Sequence, residues 1–224
     1  MSTGIAEGKP SSYRDRDLAL KEFVTQRVST IQAQYSMDIS TAVATLARLR
    51  RGVGRPAGSL PELYEPTLGG LPDILTDPSV LTAVEREGAA TSWEQAAHDA
   101  ITLYAWHQQS KRDRMHRHGA GFGAAMRLLG DRTSPEAVRR RFHAVGTAGN
   151  HDARLILLRG LISQLRAHAI ALDYGVFAHE LRRLNDRTYA HEVLLTWGRD
   201  YHRSLDTDSN SNHIHTDTTK GPHQ

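Results

Sequence analysis

The chain has 224 residues, of which 39% are apolar and 24% charged, a balance that supports a buried core and excludes global disorder. It contains no cysteine, which excludes disulfides, thiolate metal sites, iron–sulfur clusters and cysteine nucleophiles. The formal charge is only +3, yet just four of the 28 basic residues are lysine (Lys9, Lys21, Lys111, Lys220), and the planar arginine head group suits bidentate phosphate contact.

Residues 1–14 and 206–224 mix Ser, Gly, Asn, Asp, Thr and His without periodicity and read as disordered tails. The N-terminus lacks the charged-then-apolar order of a signal peptide, and no apolar run approaches the ~18–20 residues that span a bilayer. A cytoplasmic protein with no membrane partner is expected. Residues 15–205 form the expected all-helical domain. Leu18, Leu20, Phe23, Val24, Val28, Ile31 and Tyr35 recur at helical steps and give a first helix, interrupted at Ser36, Met37 and Asp38. A second helix is expected over residues 40–51. Residues 52–78 hold so many Gly and Pro that only short turns around residues 62–64 fit.

Ser92 with Gln95 matches a capping box ahead of a helix over residues 93–109. Residues 111–121 form a basic loop, and a short helix follows through Ala124, Met126, Leu128 and Leu129. Ser134 caps a helix that has Pro135 at its first position and runs to about residue 145. Further helices are expected over residues 151–171, 174–184 and 189–202. No segment shows the apolar–polar alternation of a strand. The fold class is all-α: about eight helices in two packed lobes, residues 15–90 and 91–205, joined by the Gly/Pro-rich connector.

Known catalytic loops are missing. Gly119, Gly121 and Gly123 follow no strand, and neither a phosphate-binding P-loop nor a G-x-S-x-G elbow occurs. The glycines instead let a helix start close against neighbouring backbone. The dipeptides His98-Asp99 and His151-Asp152 match the metal-ligating pair of HD-type phosphohydrolases, in which bound metal activates water. That gives an enzymatic alternative using His98 and Asp99, although thirteen histidines in this chain make such pairs easy to meet by chance. On a helix, His116 and His118 point apart, and only an extended chain lets them share a metal. His213 and His215 lie in the C-terminal tail.

Three basic clusters remain: Arg48, Arg50 and Arg51 with Arg55 at a helix end; Lys111, Arg112, Arg114 and Arg117 in a loop opposed only by Asp113; and consecutive Arg139, Arg140 and Arg141 on one helix. Several cations converging from helix ends and loops suit a phosphate chain, because each contact releases counterions whatever the base sequence. A purely protein-binding helical module is the alternative, and the helix macrodipole alone favours cations at 48–51. Few aromatics leave little basis for base stacking. Trp106, Phe142, Trp197 and Tyr201 fall at helical spacing and are assigned to the core.

The chain resembles the CasB family, the small subunit of the type I-E CRISPR surveillance complex Cascade. The likeness rests on an ordered series: Ala47-Arg48-Leu49-Arg50-Arg51-Gly52, then Leu103-Tyr104-Ala105-Trp106-His107-Gln108-Gln109. Met115-His116-Arg117 follows, leading into Gly119-Ala120-Gly121-Phe122-Gly123-Ala124-Ala125-Met126. Val138-Arg139-Arg140-Arg141-Phe142, Leu172-Asp173-Tyr174 and Trp197-Gly198-Arg199-Asp200-Tyr201 complete it. Phe122 stands where leucine is more usual, and the tail beyond Asp206 has no counterpart. The resemblance implies a non-catalytic subunit without cofactor, bound to other Cascade subunits, to guide RNA, to target and displaced DNA strands, and to a second copy of itself. It implies nucleic-acid contact at Arg48, Arg50, Arg51, Lys111, Arg112, Arg114, Arg117, Arg139, Arg140 and Arg141, with Gln109 as a weaker candidate. Leu172-Asp173-Tyr174 is read as a helix junction with Asp173 capping.

Overall fold

The computed structural model describes residues 12–203, so His213, His215 and most of both expected tails lie outside the described residues. The described chain is all-α, with ten α-helices, short 3-10 turns and a single isolated bridge between His116 and Leu172. Helix α1 (Tyr13–Ser36) starts earlier than its apolar spacing suggests, because Ser12 and Asp15 form a reciprocal cap. It ends where Asp38 takes a left-handed φ of 55°. Helix α2 (Ser40–Leu49) tightens into a 3-10 turn at Arg50–Gly52. The connector holds two more 3-10 turns and α3 (Tyr64–Leu68), with glycines 54, 58 and 70 at positive φ, conformations that side chains with a Cβ rarely adopt.

A one-turn helix, α4 (Ala83–Arg86), precedes α5 (Ser92–Gln108). The capping box of α5 sits one residue before the expected one. Thr91 Oγ1 accepts from Glu94 N at 3.1 Å, and Glu94 Oε2 accepts from Thr91 N at 2.7 Å. Ser92 and Gln95 fit the same four-residue pattern, but Gln95 instead donates to Asp99 Oδ1 and accepts from Ala57 N. Helix α6 (Phe122–Arg132) follows the basic loop. Helix α7 (Pro135–Gly146) is capped by Ser134 as expected, and α8 (His151–Ala167) is capped by Asn150. Asp173 caps α9 (Tyr174–Leu184), accepting from Gly175 N and Val176 N, and α10 (Ala190–His202) closes the described chain.

The helices share one hydrophobic cluster that runs through both expected lobes. Helix α1 lies along α9 and across α5, α5 also packs on α8, and α6 is flanked by α7 and α10. A buried ion pair fastens the first helix to the ninth: Arg182 Nη2 lies 2.8 Å from Asp17 Oδ2, and Asp17 Oδ1 accepts from Trp93 Nε1 at 3.1 Å. Such a pair is costly to break singly, because the surviving charge would be left buried. No helix among the described residues is long and apolar enough to cross a membrane.

Candidate nucleic-acid interface

The basic loop between α5 and α6 is fixed by buried amides rather than by its own charges. At the end of α5, Gln108 Nε2 donates to the carbonyls of Lys111 and Asp113, both at 2.9 Å, while its Oε1 accepts from Met115 N at 3.0 Å. From α1, Gln32 exchanges two bonds with His116: His116 N donates to Oε1 at 2.8 Å, and Nε2 donates to His116 O at 3.1 Å. Backbone bonds join Leu172 N to Met115 O and Arg117 N to Leu172 O, and Gly119 N donates to Asp173 Oδ2. The backbone polar groups of an irregular segment are thereby satisfied by one side chain from the adjoining helix end and by two that are distant in sequence, Gln32 and Asp173. Arg112, Arg114 and Arg117 are left exposed and Lys111 half-buried, and none of the four forms an ion pair among the described residues.

Arg117 also enters a groove of about 410 Å³ that Arg127 and Arg203 line, with Asp131, Asp200 and Gly121. Arg127 and Arg203 had no signal in the sequence. Asp131 lies one helical turn after Arg127 and pairs with it at 3.6 Å, so Arg127 reads there as neutralised. The groove lies beside α6, whose tight docking on α10 depends on Gly123. A Cβ at that position would overlap the Trp197 carbonyl, as the expectation of a close helix start requires.

The cluster at the end of α2 is partly answered. Arg48 is exposed and donates to Thr45 Oγ1 at 3.2 Å, Arg50 is half-buried, and Arg51 reaches Glu62 at 3.5 Å. Both partners of that last pair are exposed, so it is worth little in water. Gly52 anchors the turn: its carbonyl meets His98 Nε2 at 3.1 Å, and Leu63 and Thr102 leave no room for a Cβ.

On α7, Val138, Phe142 and Val145 face inward and Arg139, Arg140 and Arg141 are exposed. Only Arg141 has a side-chain partner among the described residues, Gln164 Oε1 of α8 at 3.0 Å. Two further arginines of α8 flank Trp106. The Arg159 guanidinium lies 4.1 Å from the indole centroid and that of Arg166 5.2 Å, while Trp106 Nε1 donates to Ser163. Trp106 is half-buried: its ring packs against the edge of the core cluster while two guanidinium groups lie over it. Its arginine neighbours belong to a helix distant in sequence, which local spacing cannot reveal. Gln109 is engaged as well, accepting from Arg166 Nη1 at 2.8 Å.

The HD dipeptides do not make a shared metal site. His98 turns to the Gly52 carbonyl, whereas Asp99 Oδ2 lies 2.9 Å from His151 Nε2 and its Oδ1 accepts from Gln95. Burial is the largest influence on both histidines. It holds His98 below the usual histidine range, and for His151 the Asp99 carboxylate overcomes it and raises the pKa. Asp99 and His151 thus form a pair that ties α5 to α8.

The sequence model of the CRISPR-associated protein Cse2 matches residues 45–202 of the chain. The chain belongs to the Cse2 family. Among solved structures, this Cse2 chain is similar to CasB from Thermobifida fusca at 40% identity and a TM-score of 0.70, over 83% of this chain and 98% of that one. It shares its fold with a Cse2-family protein from Thermus thermophilus at 20% identity, covering 81% and 96% of the two chains with a TM-score of 0.55. A chain in a CRISPR RNA-guided surveillance complex has the same fold at 24% identity, covering 82% and 96% with a TM-score of 0.56. No curated protein matches the chain.

Most residues that carry the Cse2 resemblance are core or loop anchors rather than ligand contacts. Phe122 sits amid Phe142, Phe177 and Trp197, with centroids 4.6–5.8 Å away, and Tyr201 stacks on Phe142. Tyr104, His107 and Tyr174 form a buried group in which His107 Nδ1 meets Tyr174 Oη at 3.0 Å. Burial pushes His107 down to about 3, so it is neutral at physiological pH. Gln108 follows directly in the chain, and its structural role is the loop anchor described above.

Proposed function

We propose that this Cse2 chain is the non-catalytic, nucleic-acid-binding small subunit of a type I-E Cascade complex, acting in the cytoplasm in antiviral defence. Its partners are the other Cascade subunits, a second copy of itself, the guide RNA, and the target and displaced DNA strands. The observation that carries the reading is the basic loop, where buried amides fix the backbone while Arg112, Arg114 and Arg117 stay exposed and unpaired with acids among the described residues. The occurrence of this fold in an RNA-guided surveillance complex supports the same reading.

Exchanging a DNA duplex for an RNA–DNA hybrid is nearly balanced in energy, so sequence-blind contacts with the backbone tip the equilibrium toward the opened state. Arginines held on fixed backbone supply those contacts as charge-assisted, often bidentate hydrogen bonds to phosphate. Arg139 and Arg140 fit this role because neighbouring like charges repel until an anion answers them. Arg48, Arg50, Arg51, Lys111 and Arg141 complete the proposed set; Arg127 and Arg203, which line the groove beside Arg117, are already answered by Asp131 and Asp200 and stay outside it.

The test uses the reconstituted complex with guide RNA and a target duplex. Replacing Arg139, Arg140 and Arg141 together by Ala should weaken R-loop binding and make its log–log salt slope shallower by about 0.7–0.9 per lost phosphate contact. An unchanged slope with an intact complex would remove this cluster from the site.

A further inference from the structure

His116 and His118 lie on a non-helical stretch of the basic loop, His116 in the bridge to Leu172 and His118 in the turn that follows, and their rings come together there. Their ring centroids are 5.2 Å apart, and one ligand atom from each lies within 4.8 Å of the other and of a carboxylate oxygen of Asp173. His116 is only 4% exposed, and its Nε2 is buried without a hydrogen-bond partner among the described residues. An orphaned buried nitrogen is expensive unless something else satisfies it. Its Nδ1 faces backbone on both sides, with Tyr174 N at 3.1 Å and the Leu172 carbonyl at 3.3 Å.

From this arrangement we propose that His116 Nε2, His118 and Asp173 bind one divalent transition-metal ion of the zinc class, which clamps the basic loop to the N-terminus of α9. Two imidazoles and a carboxylate form a donor set that zinc accepts, with a fourth position left for water. The donors are suitably prepared. Burial holds the His116 imidazole below the usual histidine range, against the opposing pull of Asp173. Asp173 Oδ2 accepts a single bond, from Gly119 N, while Oδ1 carries the helix cap.

In the free protein His116 Nδ1 accepts from Tyr174 N–H, which places the ring proton on Nε2. Metal binding moves that proton to Nδ1, which then donates to the Leu172 carbonyl 3.3 Å away, the kind of backbone partner that metal-bound histidines commonly use; the Tyr174 N–H gives up its bond to Nδ1, a cost that the metal–nitrogen bond must exceed. Metal–nitrogen bonds of about 2.0–2.1 Å bring tetrahedral ligands to about 3.3 Å from one another. The site therefore closes by an inward rotation of His118, the exposed member of the set. Closure would fix the stretch that ends at Arg117, independently of what that arginine contacts.

The test uses the full-length chain with His213, His215 and His223 changed to Ala, so that tail histidines cannot supply the metal site. After equilibration with zinc chloride and dialysis, elemental analysis should find one zinc per chain. Amides of residues 113–120 should exchange more slowly with zinc than without. His118→Ala in the same background leaves the buried anchors in place and should lower zinc affinity at least about tenfold, the effect that even outer partners of a metal site can have, and abolish the added protection. Substoichiometric zinc, affinity unchanged by His118→Ala, or loop exchange indifferent to zinc would each overturn the site.

Discussion

Replacing Gln108 by Ala removes the strongest single anchor of the basic loop. The side chain is 1% exposed and makes three bonds of 2.9–3.0 Å to the loop backbone. Each contributes about 0.5–1.5 kcal/mol net, so the variant should lose about 3 kcal/mol. For a domain of this size about 1 kcal/mol corresponds to roughly 2–4 °C, which predicts a melting temperature lowered by about 6–12 °C. Hydrogen exchange should show the amides of residues 113–117 opening faster than those of α5. Gln109→Ala is the matched control: it loses a half-buried contact with Arg166 and should change stability by less than about 1 kcal/mol. Equal effects of the two substitutions, or unchanged loop exchange in Gln108→Ala, would refute the view that this amide fixes the loop.

Gly123→Ala should cost about 2 kcal/mol or more, read by denaturant unfolding, because the added methyl meets the Trp197 carbonyl across the α6–α10 contact; a neutral outcome would show that these helices separate freely. Burial pushes the Glu180 carboxyl up to about 8, with Asp200 and Asp173 adding to the shift. The folded state thus holds a proton that the unfolded chain releases above its ordinary carboxylate pKa. The stability from this group is present below pH 4.5 and is lost as pH rises through about 8. Glu180→Gln should therefore gain on the wild type by on the order of 1 kcal/mol per pH unit across that window; parallel stability profiles from about pH 5 to 8 would contradict it.

The sequence reveals what is local. Asp173 and Ser134 are legible as caps because the donors they satisfy lie two or three residues away, and α9 keeps a clear apolar face through Phe177, Ala178, Leu181 and Leu184. The shifted cap of α5 shows the limit of such patterns: Thr91 with Glu94 and Ser92 with Gln95 both match, and the tertiary partner of Gln95 at Ala57 decides between them. The arginine clusters are legible as exposed charge. Their supports are not, since Gln32 reaches His116 across 84 positions, and an amide in mid-helix gives no local sign of its partner. Spacing likewise puts Trp106 against the core, where it packs, but gives no sign of the Arg159 and Arg166 guanidinium groups that α8 lays over its ring.

The most direct test of the central claim is to tag the protein in its own host, purify it gently, and identify what elutes with it by mass spectrometry and RNA sequencing. A small subunit of Cascade should bring down a defined guide RNA with repeat-derived ends and a stoichiometric set of other Cascade subunits. Recovery of the protein alone, with neither RNA nor subunits while the host expresses its guide RNAs, would contradict that role.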